Sequence, residues 1–494
     1  MELKGKKVLI FGLARSGAGA ANLLSSLGAD VTVTDRKPGE QLGGYAALLS
    51  PSVKTLLGSH PAGFNGTDLI VVSPGVPLTI EPLAKARSAG IKIIGELELA
   101  YRILKERGGL QARAADFLAV TGTNGKSTTT SLLDRMLRSS GFETLLGGNI
   151  GNALTEEIMK TVGSRRSPVD RQGNETVGGH AYEENLMTMD DRLATVDFVV
   201  VEVSSFQLES VDTFRPRGAT ILNITPDHLD RYHSLAEYAE AKANIFLNQG
   251  EGDFLVLNGD DPALRTAERE RLEAKSTRPE VFYFSRQREV RGAYMKDGLI
   301  RFHLPDIPPS FVLDPSTFAI KGVHNLENAM AASAMALLAG CGTEAVADAL
   351  REFPGLEHRM EFVRELGGVH YINDSKGTNV GAVLKSLEGI EEPVVLIAGG
   401  RDKAGDFAQL RALVKERVKT LVLIGEASEK IRQALGDVTE TVTAPDLKEA
   451  VDVARERARP GEVVLLSPAC ASFDMFRDFE DRGAQFKKIV RELR

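Results

Sequence analysis

The chain holds 494 residues, enough for two to four domains, and its 43% hydrophobic and 26% charged residues exclude a largely disordered polypeptide. Lys and Arg number 60 against 68 Asp and Glu, a net charge of −8 with no long basic run, which argues against a dedicated nucleic-acid binder. Two cysteines, Cys341 and Cys470, are too few for a disulfide framework. No window reaches the ~18 apolar residues of a membrane span, and the first apolar run is too short for an export signal, so a cytoplasmic protein without membrane insertion is expected.

From the N-terminus, short apolar runs alternate with Gly/Ser/Asp-rich turns and helical stretches, the pattern of parallel strands covered by helices. The first block has runs at 7–11, 31–34, 69–73 and 91–94. Its turn Gly12-Leu-Ala-Arg-Ser-Gly17, followed by Asp35 at the end of the next run, approximates a dinucleotide-binding fingerprint with Ala14 in place of the middle glycine. Such a turn suits a nucleotide diphosphate at a helix N-terminus, or is a strand–helix turn without a ligand.

The second block has runs at 117–121, 143–146, 198–203, 219–224 and 254–258. Gly122-Thr-Asn-Gly-Lys-Ser-Thr128 follows the first of them and opens a helix. This shortened phosphate loop predicts backbone N–H groups around a phosphate, Lys126 at the terminal phosphates and the Ser127 hydroxyl on Mg²⁺. Glu202 is the one carboxylate in a buried run, and reads as an Mg²⁺ ligand or water-positioning group, or as half of an ion pair. Asp227, His228 and Asp230 follow the next run; Lys242 lies on the helix after them and by itself reads as a solvent-facing side chain. Residues 163–192 are polar and glycine-rich, and read as a surface insertion dispensable for chemistry. Residues 286–318 read as β-hairpin material.

The third block has runs at 369–373, 394–398, 421–424 and 463–467, each ending in polar groups: Asp374-Ser-Lys376, Gly399-Gly-Arg-Asp-Lys403 and Ser467-Pro-Ala-Cys-Ala-Ser472. In an open parallel sheet these strand ends share the ligand-binding edge. The expected architecture is α/β with three domains on largely parallel sheets: Rossmann-like at 1–111, a P-loop-type ATPase with added β-hairpins at 112–321, and Rossmann-like at 322–494.

Across nearly its whole length the chain resembles the Mur ligases of peptidoglycan synthesis. The resemblance rests on Gly122–Thr128, Gly147-Gly-Asn-Ile-Gly151, Glu202-Val-Ser-Ser-Phe-Gln-Leu-Glu209, Thr225-Pro-Asp-His-Leu-Asp230, Asn373-Asp-Ser-Lys-Gly-Thr-Asn379 and Ser467–Asp474. The last two blocks resemble the branch that adds D-glutamate to UDP-N-acetylmuramoyl-L-alanine. It implies ATP-driven amide formation through an acyl phosphate. ATP is implied at Gly122, Thr123, Asn124, Gly125, Lys126, Ser127 and Thr128, with Asn325 and Asn328 nearer the base and His358 and Arg359 reaching the phosphates. Two Mg²⁺ are implied on Ser127, Glu202, His228 and a carbamylated Lys242. The UDP-substrate is implied at Gly12, Ser16, Gly17, Asp35, Arg36, Ser73, Gly75, Asn149 and Gln207, and the amino acid at Lys376, Ser472 and Phe479. The expected partners are these small molecules, and the expected state is a monomer.

Other classes remain open from the residues alone. An NAD-dependent oxidoreductase rests on Gly12–Asp35 and leaves the phosphate loop idle; a nucleotide-gated regulator leaves the 467–474 block idle. Another amino-acid-adding Mur ligase is a third alternative. A folylpolyglutamate synthase shares the chemistry, but its usual two-domain chain lacks the first block.

Overall fold

The computed structural model describes residues 2–42, 44–107, 115–163, 195–228, 231–273 and 276–494. The polar segment 163–192, apart from Gly163, lies outside these residues, as do Asp230 and the seam expected near 112.

The first sheet is wholly parallel, in the order β3-β2-β1-β4-β5, from β1 (Lys7–Phe11), β2 (Asp30–Asp35), β3 (Lys54–Leu57), β4 (Leu69–Val72) and β5 (Lys92–Gly95). The sequence pattern misses β3: its side chains are largely exposed at the sheet edge, so Lys-Thr-Leu-Leu carries no buried run. Helix Glu96–Arg107 leaves this sheet and packs Leu97, Leu99, Ile103 and Leu104 into a core continuous with Phe117, Leu154 and Phe214 of the second domain. Two acids lock the junction. Buried Glu96 accepts from the Thr155 N–H and hydroxyl, both at 2.8 Å. Glu98 accepts from the N–H groups of Asp212, Thr213 and Phe214 and from Arg102.

The second sheet has nine strands: β6 (Asp116–Thr121), β7 (Thr144–Gly148), β8 (Phe198–Glu202), β9 (Gly218–Ile221), β10 (Phe254–Asn258), β11 (Glu280–Ser285), β12 (Gly292–Lys296), β13 (Leu299–Phe302) and β14 (Val312–Leu313). Their order is β14-β13-β12-β11-β10-β9-β6-β8-β7, parallel up to β12 and antiparallel from β12 to β14. The hairpin material is therefore an extension of the main sheet.

The seam expected at 322 requires correction. Helix Val323–Ala339 begins there, but its Ala-rich surface packs with Leu132, Leu133 and Met136 of helix Lys126–Ser139 in the central core. Helix Thr343–Glu352 adds Val346, Ala349 and Leu350 to the same core. The sequence placed the boundary at a glycine-led loop; burial carries the central unit through Phe353.

The third sheet runs β15-β16-β20-β17-β18-β19, from β15 (Glu361–Leu366), β16 (Val369–Asn373), β17 (Val394–Gly399), β18 (Val418–Ile424), β19 (Glu440–Thr443) and β20 (Val463–Leu466). Only β15 is antiparallel. The sequence misses β15 and β19, edge strands with no buried residue.

Candidate active site

β6 is buried from Phe117 to Thr121 and delivers the chain to Gly122. Gly122 (φ +150°) and Gly125 (φ +84°) take conformations that disfavour side chains, and a Cβ on Gly125 would lie 2.2 Å from Asn328 Oδ1. Helix Lys126–Ser139 starts directly after this turn, so its free N–H groups face the loop. Lys126 Nζ donates to the carbonyls of Gly122 and Thr123, each at 2.8 Å. Burial lowers the pKa of that ammonium, opposed by Glu202 and Asp227.

Glu202 ends β8 and is 1% exposed. Its Oε1 accepts from Asn149 Nδ2 at 2.6 Å; its Oε2 is buried without a hydrogen-bond partner among the described residues. A buried carboxylate oxygen left open beside a phosphate-type loop fits a cation ligand. Ser127 also faces the cavity, as does His228, which sits at φ +55° beside Asp227. Among the described residues no three His, Cys, Asp or Glu side chains form a metal cluster, so a cation here needs the mixed donor set and phosphate oxygens.

Lys242 is 1% exposed, which overturns its solvent-facing reading. Its Nζ donates to the Gly122 carbonyl at 3.0 Å and lies 4.5 Å from the centre of the Tyr238 ring. Burial, reinforced by Lys126, pushes its pKa well below the ordinary lysine value, against the pull of Asp227 and Glu202.

The third domain closes the opposite wall. Arg359, Lys376, Asn379, Lys385 and Lys403 join Lys126, Asn149, Glu202 and Asn328 around a cavity of about 210 Å³. Lys376 Nζ lies 3.7 Å from the centre of the Phe479 ring, and burial takes its pKa down to about 8. Fully buried Arg482 fixes the loops on either side, donating to the Ser375 carbonyl at 2.9 Å and the Cys470 carbonyl at 3.3 Å.

Several expected residues lie elsewhere. Gln207 closes a capping box with Ser204 instead of lining the cavity. Asn325 bonds the Lys321 carbonyl and Asn328, so it acts on the cavity only through Asn328. Ser472 is buried off the cavity wall. His358 bonds Asn373 and packs on helix Phe479–Glu492, leaving Arg359 alone of that pair at the cavity. Lys403, Asn379 and Lys385 received no role from the sequence; the strand-end position of Lys403 and the motif position of Asn379 were the available signal, and Lys385, on helix Val380–Glu388, offered none.

The N-terminal residues form a separate cradle. Gly12 has φ +93°, and a Cβ on Gly17 would lie 2.0 Å from the Gly12 carbonyl oxygen. Ser73 Oγ donates to that carbonyl at 2.8 Å. Helix Arg15–Ser26, which includes Ser16, has no side-chain cap at its N-terminus among the described residues. Asp35 holds the turn by accepting from the Leu13 N–H at 2.8 Å, with exposed Arg36 and Gly75 nearby in sequence to the ends of β2 and β4.

Comparison with known proteins places the same three units in the same order. Residues 6–95 match the Mur ligase MurD-like N-terminal domain, 120–336 the Mur ligase middle domain, and 358–470 the Mur ligase glutamate ligase domain. Among solved structures, UDP-N-acetylmuramate-alanine ligase MurC from Thermotoga maritima superposes with a TM-score of 0.57 at 17% identity, over 98% of this chain and 99% of that one. MurF from Acinetobacter baumannii gives 0.59 at 16% identity, over 98% and 93%; at such identities the likeness concerns the fold. The relatives in sequence are nearer. UDP-N-acetylmuramoylalanine–D-glutamate ligase of Geotalea daltonii is 45% identical over 100% of this chain and 99% of its own length. The protein of the same name from Geobacter sp. strain M21 is 46% identical over 99% and 98%. With identity at this level sustained through all three domains, the chain belongs to the Mur ligase family.

Proposed function

We propose that this protein is an ATP-dependent ligase that joins D-glutamate to the L-alanine carboxylate of UDP-N-acetylmuramoyl-L-alanine, through an acyl phosphate, in cytoplasmic peptidoglycan precursor synthesis. The observation that carries the reading is the meeting of Lys126, Glu202 and Lys376 in one cavity between the phosphate loop and the third domain's strand ends. Full-length relatives bearing that ligase name support the choice of amino acid.

In this reading the N-terminal cradle takes the UDP group, with the diphosphate on the uncapped helix N-terminus after Gly12. Asn149 steadies Glu202 and faces the sugar side of the cavity. Gly122–Thr128 surrounds the ATP phosphates, Asn328 bounds the base side, and Arg359 and Lys126 offset phosphate charge. Ser127, Glu202, His228 and a carbamylated Lys242 would hold two Mg²⁺, which supply neutralisation of the phosphate oxygens during transfer. The amine of Lys242, kept neutral by burial, adds to CO₂ with loss of a proton and becomes an anion. Lys376 pairs with a carboxylate of D-glutamate, and the Phe479 ring fixes its position. Closure of the third domain keeps water from the acyl phosphate. A monomer suffices, because one chain supplies every wall of the cavity.

The test is ADP release with UDP-N-acetylmuramoyl-L-alanine and a panel of amino acids. Release should require D-glutamate; equal turnover with L-glutamate or meso-diaminopimelate would sink the assignment. Lys126→Ala should lower kcat by about a hundredfold or more, as loss of a transition-state charge contact does.

A further inference from the structure

Glu209 ends the motif that begins at Glu202, directly after the short helix Ser205–Leu208. Each of its oxygens takes a donor from the segment that follows β9: Oε2 from Arg231 Nη2 and Oε1 from the Tyr232 hydroxyl, both at 2.5 Å. The backbone N–H groups of the same two residues donate to the His228 carbonyl, at 2.9 and 3.1 Å. His228 sits at φ +55°, a conformation that a side chain holds only where its surroundings impose it. Here the turn after it is pinned at Glu209, and its ring packs edge-on against Phe206, 4.8 Å between centroids. The Arg231 guanidinium lies 4.2 Å from the centre of that same Phe206 ring. Arg231 thus braces His228 at the cavity wall through both backbone and ring.

The other arm of the guanidinium leaves the central domain. Nη1 donates to the Pro74 carbonyl of the first domain at 3.3 Å. Pro74 follows Ser73, whose hydroxyl bonds the Gly12 carbonyl at 2.8 Å, and a Cβ on Gly12 would lie 2.8 Å from Val76. The turn at Pro74 and the glycine turn are therefore packed as one piece. Arg231 and Glu209 are 19% and 20% exposed, so their pair is largely shielded from water. A planar guanidinium has donors enough, and far enough apart, to serve both domains at once; the point charge of a lysine cannot span them.

We infer that Arg231 is a positioning residue that couples the first-domain cradle to His228, so that filling the cradle and filling the nucleotide site favour each other. A ligand that steadies the Pro74 turn steadies the guanidinium, and with it Phe206 and the His228 turn. Such a coupling is reciprocal: each ligand tightens the other by the same factor. The inference rests on the proposal that the first domain takes a UDP-linked substrate, and adds how that domain reports to the centre of phosphoryl transfer.

Calorimetric titration of the full chain tests it. The ligands are UDP-N-acetylmuramoyl-L-alanine and a non-hydrolysable ATP analogue with Mg²⁺, each titrated alone and with the other saturating. In wild type each should tighten the other about fivefold or more. Arg231→Met keeps an apolar stem over Phe206 and drops both donated bonds, and the coupling should vanish. Arg231→Lys keeps a cation beside Glu209 and gives up Pro74. It should bind each ligand alone within a few-fold of wild type, and still lose the coupling. Coupling that survives in Arg231→Lys would overturn the inference. So would equal weakening of each ligand alone with the coupling intact, which is what a merely packing role predicts. Wild type that binds both ligands independently would overturn it while leaving the UDP reading in place. Failure of wild type to bind the UDP-substrate at all would instead refute that reading, and this inference with it.

Discussion

Asn379 of the third domain donates its side-chain amide to Asn124 Oδ1 of the phosphate loop at 3.4 Å. The same amide reaches Asp227 Oδ2 at 3.1 Å, and Asn379 Oδ1 caps helix Val380–Glu388 by accepting from the Ala382 N–H. Further along that helix, Lys385 Nζ lies 2.6 Å from Glu327 Oε2, whose other oxygen takes Arg286 at 2.9 Å. The domains are thus closed on each other, and the contacts that close them border the nucleotide side of the cavity.

Glu327 and Lys385 should act as one unit in that closure. Their side chains are 12% and 27% exposed, so the pair is better shielded than an ordinary surface bridge. Glu327→Gln and Lys385→Met should each raise the apparent KM for D-glutamate several-fold. The double variant should do no worse than the worse single, a coupling of about 1 kcal/mol. Steady-state kinetics reads the coupling, and small-angle scattering should find the variants more open. Simple additivity would show that the pair does not latch the domains.

Stability depends on a different carboxylate. Glu98 is fully buried, yet its pKa is lowered: burial raises it, and the donors at Asp212, Thr213 and Arg102 outweigh burial. Glu98→Gln should therefore cost about 2–4 kcal/mol, because a neutral amide meets donors arranged for an anion. The sign of the pH effect follows. With the folded pKa below the unfolded one, the contribution is complete above the unfolded value and fades as pH falls through the folded one. Urea titrations at pH 7 and near pH 3 check both: the gap between wild type and variant should shrink in acid.

The sequence makes the buried parallel strands legible because a strand covered on both faces is a continuous apolar run, as in Phe198–Glu202. It hides β3, β15 and β19 because edge strands need no such run. The phosphate loop is equally legible, since its chemistry is local: backbone turn, lysine, serine and helix follow one another. What sequence could not order is the meeting of distant strand ends. Lys403 lies 3.8 Å from Asp227 only because two sheets face each other edge to edge. Gln207 shows the opposite case: the Oε1 of a residue in a family motif is taken by a local capping box with Ser204, which sequence spacing alone does not reveal.

Lys242 separates local pattern from tertiary context most sharply. A lysine on an ordinary amphipathic helix belongs in water, and here it is buried against Gly122 and Tyr238. A carbamate would convert this buried amine into an anion near Lys126. Lys242→Ala should lose at least about a hundredfold in turnover and regain part of it with added acetate or propionate, which supplies a carboxylate to the vacated space. Mass spectrometry under bicarbonate should detect the carbamate in wild type only. Near wild-type turnover in the alanine variant would remove Lys242 from the mechanism.

Lys376 gives the last prediction, through its pKa. Burial lowers it to about 8, with Glu202 pulling it up and Arg359 pushing it down. A lysine that titrates there is charged at pH 7 and loses its charge just above. If the ammonium holds a carboxylate of D-glutamate, affinity for the amino acid should be constant below pH 7 and fall as pH rises through about 8. The rate should move the other way, because the attacking amine of D-glutamate must itself be deprotonated. KM and kcat should therefore rise together with pH, while KM for ATP stays level. Lys376→Ala should raise KM for D-glutamate far more than KM for ATP and abolish its pH dependence near 8. Lys376→Arg keeps its charge across this range, so it too should lose the inflection, but its longer, forked head spreads the charge away from the point where the ammonium stands over Phe479, and the KM should remain elevated. An inflection near pH 8 that survives in Lys376→Arg would assign the titration to another group. A selective loss of UDP-substrate affinity in Lys376→Ala would take the amino acid away from this wall of the cavity.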